Sequence, residues 1–91
     1  MILTKENNIS EEFAFEGIVN ILILGGIGSL MLERNLGDSD FYPITGYEAF
    51  PLNGGCAYNG SLENRGLGVT FRWVATLESG EVEIAQSRCT R

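Results

Sequence analysis

Ninety-one residues suit a single domain, and at that size roughly 60% or somewhat more of the extended chain's surface can be buried, so the core is thin. Twelve acidic against six basic residues give a net charge of −6, which repels a phosphate backbone; Arg34, Arg65, Arg72, Arg88 and Arg91 are scattered singly, so no nucleic acid is expected. The chain has no histidine, so Cys56 and Cys89 lack both the ligands for a zinc site and a base for nucleophilic catalysis, and no metal, cofactor or enzymatic activity is expected.

Residues 1–12 are polar after an apolar start and read as an N-terminal arm, with Ser10 placed to cap a helical turn. From Phe13 the odd positions Phe13, Phe15, Val19, Ile21 and Ile23 are apolar, the period of a strand buried on one face. Ile18, Leu22 and Leu24 stand on the opposite face. A strand apolar on both sides belongs at the centre of a sheet or beneath a neighbouring subunit. Asn20 and Gly25-Gly26 interrupt the run well short of the ~20 residues that span a bilayer. The acidic stretch before it lacks the basic flank of a signal peptide, so no membrane is expected.

Gly25-Gly26-Ile27-Gly28 lacks the lysine and serine of a phosphate loop and precedes strand-like alternation, so it reads as a hairpin turn. Residues 28–35 resume the strand, with Leu30 and Leu32 on one side and Ser29, Met31 and Glu33 on the other. Gly37-Asp38-Ser39-Asp40 has turn composition. Asp38 and Asp40 offer carboxylates to calcium, but the twelve-residue loop with its closing glutamate is missing, and a turn is favoured. Residues 41–45 form a short edge strand, because Pro43 cannot donate to a ladder. Residues 46–68 are loop-rich, containing Asn53-Gly54-Gly55, Tyr58-Asn59-Gly60 and Asn64-Arg65-Gly66, with room only for short strands at 47–52 and 56–58.

Val69, Phe71, Trp73, Ala75 and Leu77 share one parity, while Thr70, Arg72 and Thr76 share the other. With Ser79-Gly80 and the run 82–87, this reads as a β-hairpin in which Leu77 pairs with Val82. Thr70, Arg72 and Thr76 would then face Ser87, Ala85 and Glu83, a contribution of roughly a few tenths of a kcal/mol per pair. The expected class is all-β: a small antiparallel β-sandwich, jelly-roll or Ig-like, or a barrel, with six to eight short strands in one domain. Free thiols at Cys56 and Cys89 are favoured over a bridge, and association between subunits is the remaining remedy for a thin core.

Two further chemistries are open to test. Glu33, Glu81 and Glu83 supply carboxylates, but nothing in their spacing fixes a hydrolytic pair. Tyr42, Tyr47, Tyr58 and Trp73 offer rings to a sugar, although Trp73 has the core parity of its strand. A carbohydrate-binding β-sandwich module is therefore kept as an alternative.

Gly28-Ser-Leu-Met-Leu-Glu-Arg-Asn35, Gly37-Asp-Ser-Asp-Phe-Tyr-Pro-Ile-Thr45, Gly68-Val-Thr-Phe-Arg-Trp73 and Glu78-Ser-Gly-Glu-Val82, in that order, resemble a group of small virion proteins of tailed bacteriophages. The shared pattern is a strand ending in Glu-Arg or Gln-Arg, an Asp-Gly-type turn, an aromatic residue with Pro-Val-Thr, and a final aromatic-Arg hairpin closed by Ser-Gly. This chain departs from it at the turn and at Phe41-Tyr42, where tryptophan is more typical. The resemblance covers about two thirds of the chain. It implies a non-enzymatic β-sandwich, often a homotrimer, that is made in the host cytoplasm and sits on the virion. The expected role is a capsid decoration or cement protein bound to the major capsid protein or other virion proteins, stabilising the head between capsomers; a neck or tail adaptor is the alternative. Phe13, Phe15, Tyr47 and Phe50 are the expected partner contacts.

Overall fold

A computed structural model of the chain describes residues 1–37, 40–64 and 68–88, with Arg88 described in its backbone only. Among these residues there is no helix. There are eight strands: β1 Ile2–Leu3, β2 Gly17–Leu24, β3 Ile27–Asn35, β4 Tyr42–Pro43, β5 Phe50–Asn53, β6 Cys56–Asn64, β7 Thr70–Ser79 and β8 Val82–Arg88. They form two antiparallel layers. The first has the order β1-β8-β2-β6; in the second, β3 pairs β7 along one edge and β5, then β4, along the other. The chain is an all-β sandwich, and its 35 × 32 × 20 Å extents suit two packed sheets.

The two layers are one sheet folded over. β2 leaves the first layer as β3 of the second through Gly25-Gly26, β6 continues β5 through Gly54-Gly55, and β7 becomes β8 through Gly80-Glu81. The N-terminal segment follows the same course: β1 pairs β8 in the first layer, and Ile9 and Phe13 bridge to Val74 and Phe71 in the second. Neighbours therefore keep their order through the bend. Backbone bonds continue across the crease, from Gly25 N to Gly55 O at 3.0 Å and from Gly54 N to Gly26 O at 2.8 Å. Gly25 has φ +84, and a Cβ there would lie 2.8 Å from the Glu81 carbonyl oxygen, so the fold line needs both the left-handed backbone and the missing side chain.

This architecture corrects several sequence expectations. β7 and β8 are not a hairpin: Leu77 pairs with Gly28 and Val82 with Leu3, in opposite layers. Gly25-Gly26 is likewise a bend between layers rather than a hairpin turn. Arg72 faces Glu33 of β3 rather than a residue of β8. Ser10 caps no helix. Its Oγ accepts the Trp73 N–H at 2.8 Å, and its backbone N–H donates to the Trp73 carbonyl at 2.9 Å, sealing the outer edge of β7. The N-terminal segment runs along β8 through β1 and then along β7 through the isolated bridges at Ile9 and Phe13. The stretch Tyr58-Asn59-Gly60, expected in a loop-rich segment, lies inside the nine-residue β6, where Asn59 and Gly60 pair with Leu22 and Ile21. Pro43 does lie on an edge strand. The thiol pairing at Cys89, the calcium option at Asp38 and the Arg65-Gly66 part of the loop-rich segment fall outside the described residues.

The alternation itself is as read. Val19, Ile21 and Ile23 of β2, Leu30 and Leu32 of β3, Phe71, Trp73 and Ala75 of β7, and Val82 and Ile84 of β8 fill the space between the layers. Trp73 is 1% exposed, and its Nε1–H donates to Gln86 Oε1 at 2.8 Å, so the largest core side chain also ties the second layer to the first.

Candidate interaction face

The outer surface of the first layer is built around β2. Ile18, Asn20, Leu22 and Leu24 point away from the core because Val19, Ile21 and Ile23 take the inward positions. Across the ladders, Leu24 lies between Glu83 and Cys56, Leu22 between Ala85 and Asn59, and Asn20 between Ser87 and Ser61; Ile18 pairs with Glu63 on β6. Ile2 extends the Leu24 row beyond Glu83. Ile2 is 52% exposed, Ile18 43% and Leu24 37%. The charged side chains described on these strands are Glu63 and Glu83, at opposite ends of the face. A shallow depression of about 270 Å³ crosses its middle over Asn20, Leu22, Asn59, Ala85 and Ser87. A second cleft, of about 360 Å³, lies at the crease between Ile2, Leu24, Cys56 and the acids Glu81 and Glu83.

The outer surface of the second layer has a different chemistry. Arg72 Nε donates to Glu33 Oε1 at 2.7 Å, and the guanidinium lies 4.2 Å from the centre of the Phe41 ring. Glu33 is buried, which a carboxylate tolerates only with such a partner. The ring covers the pair and limits the water that would screen it.

The four aromatics expected as partner contacts fall into two separate clusters. Phe13 and Phe15 pack with Phe71, with ring centres 5.0 to 6.4 Å apart. Phe15 is only 6% exposed, and together with Phe13 it lines a cleft of about 230 Å³ beside Val19 and Gln86. Tyr47 and Phe50 pack with Tyr58 at 5.3 to 6.5 Å. Burial, together with a hydrogen bond and charge repulsion from Tyr58, raises the Tyr47 phenol above its ordinary 10.0. Both clusters border the core, so most of their ring surface is already used within the chain.

Of the aromatics considered for sugar stacking, Trp73 is in the core, Tyr47 and Tyr58 are half-buried against each other, and Tyr42 is 60% exposed. The carboxylates considered for hydrolysis are divided between the layers: Glu33 is bound to Arg72, while Glu81 and Glu83 are at the crease cleft. The Ile18-Leu22-Leu24 stripe was legible from its parity. Its neighbours Ala85, Asn59 and Ser61 were not, because their place depends on the pairing of β8 and β6 with β2. Comparison with protein families, with curated proteins and with solved structures gives no match.

Proposed function

We propose that this chain is a non-enzymatic structural protein that docks on a larger assembly through the outer face of its first layer, and that the assembly is the capsid of a tailed bacteriophage. The observation that supports docking is the Ile18-Leu22-Leu24 stripe, exposed at Ile18 and Leu24 and half-buried at Leu22, at the centre of a sheet and almost free of charge on a chain of net charge −6. Exposed apolar surface framed by polar residues is what a partner covers. A folded sheet with a small core also gains stability from the area a neighbour buries. The capsid as partner comes from the resemblance of the 28–45 and 68–82 segments to phage virion proteins, and the role it implies is decoration or cementing of the shell.

Electron microscopy of virions that carry the chain tests this reading. Density on the shell in many copies is the expected result, and Leu22→Lys is expected to remove it while the chain stays folded. Density confined to a few copies at the neck or tail would move the role to an adaptor. Virions without the chain would reject both.

A further inference from the structure

We propose that β6 is a strand-pairing edge and that its occupant is the β6 of a second copy of this chain. The other edges of the folded sheet are each blunted. β8 is covered by β1, and β7 by the backbone and side chains of Asn8 and Ser10 and the bridge at Phe13. On the opposite border, the second layer's edge strands carry the chain's two prolines, Pro43 in β4 and Pro51 in β5, where a donor is missing from the ladder. β6 continues that same border into the first layer with no covering strand and no proline among the described residues, and its own Tyr58 hydroxyl donates to the Ser61 carbonyl along that edge. It is nine residues long, has no proline or lysine, and among the described residues no strand pairs its outer edge.

The strand is also complementary to itself. Its midpoint is Gly60, and a two-fold antiparallel pairing centred there keeps inner faces with inner faces and outer with outer. Tyr58 and Leu62, both half-buried on the inner side, would stand opposite each other. On the outer side Asn59 would meet Ser61, an amide against a hydroxyl. The one charge on the strand, Glu63, would face Ala57 rather than its own copy, so the pairing places no like charges opposite each other. Gly60 puts no side chain of its own at the axis; the Tyr58 ring lies in that space with its hydroxyl on the Ser61 carbonyl at 3.1 Å, so pairing exchanges that bond for one from the copy's Asn59 N–H. Such pairing is isologous and closes at two subunits, which differs from the threefold association the resemblance implies. It does not rest on capsid docking and stands or falls separately.

Sedimentation or light scattering from micromolar to millimolar chain tests the proposal. The mass is expected to rise from 10.0 kDa toward twice that value. Amide exchange over residues 56–62 is expected to slow in parallel. The double variant Asn59→Lys with Ser61→Lys should remain monomeric, as should Asn59→Glu with Ser61→Glu, and mixing the two should restore the doubled mass. A chain still monomeric at millimolar concentration, a trimeric mass, or a dimer whose β6 amides exchange as in the monomer would each overturn it.

Discussion

Gly25 and Leu24 are neighbours in the chain, yet they belong to regions with opposite rules. At the crease, backbone meets backbone: the carbonyl of Glu81 approaches Gly25, and the two glycine pairs 25-26 and 54-55 are hydrogen-bonded to each other. One residue away, the Leu24 side chain is more than a third exposed and, with Ile18, makes a face the chain does not cover. The crease specifies the architecture, and the outer face of the first layer is left for something else. Substitutions should separate the two regions by several kcal/mol.

The largest effect is expected at Gly28, just past the crease. Its φ is +143, and a Cβ built there clashes with the backbone carbonyl of Thr76 on β7. Neither atom is the end of a flexible side chain, so relief would require β3 and β7 to part. Gly28→Ala should cost about 4 kcal/mol or more in denaturant titration, or prevent folding. A loss below about 1 kcal/mol would mean that the crease is not held as described.

Next comes Arg72. Its removal leaves Glu33 buried without its partner and strips the stacking from Phe41, so Arg72→Ala should cost about 2–3 kcal/mol. Arg72→Lys should recover only part of this, since an ammonium does not reproduce the planar stacking. Equal stability of Arg72→Ala and the parent would show that the second layer's outer face is as open as the first, erasing the contrast between them.

The limits of sequence reading follow the same division between local and distant causes. Parity was legible at Val19, Ile21 and Ile23 and from Val69 to Ala75, because burial of one face dictates it residue by residue. The partners of those strands were not. Ser79-Gly80 and Gly25-Gly26 have the chemistry of a reversal, but that chemistry is the same whether the chain turns back within a layer or crosses to the other. β6 was missed for a related reason: Asn59-Gly60 has turn composition, and what holds it extended is the ladder to Leu22 and Ile21 and the Tyr58 ring over Gly60, none of which local propensity records. The apolar stripe of the candidate face could be read at Ile18, Leu22 and Leu24, while its extent across β6 and β8 required the pairing.

A smaller effect is expected at the Tyr47–Phe50–Tyr58 cluster, which lies between the two regions in character. The folded-state pKa of Tyr47 lies above its unfolded value of 10.0. Its contribution to stability is therefore full below pH 10.0 and lost as pH rises through the folded value, because the unfolded state gives up its proton first. Urea midpoints should fall above pH 10.0, and Tyr47→Phe should flatten part of that fall. An unchanged alkaline slope would assign the loss to the other tyrosines and to net charge.

The smallest effect on folding is expected on the candidate face, and there the comparison is sharpest. Ile18→Thr and Leu24→Thr replace side chains that are 43% and 37% exposed. Threonine suits a strand, with a hydroxyl that meets solvent on this side, so each change should shift stability by no more than about 0.5 kcal/mol. The same changes remove apolar area from the surface proposed to dock, so capsid binding should weaken well before folding does. Were the face merely solvated surface, both measurements would stay flat. Were it part of the core's support, both would fall together. Only a partner produces loss of binding with folding intact, and the Ile18→Thr, Leu24→Thr double variant measured by urea titration and by occupancy on virions distinguishes the three.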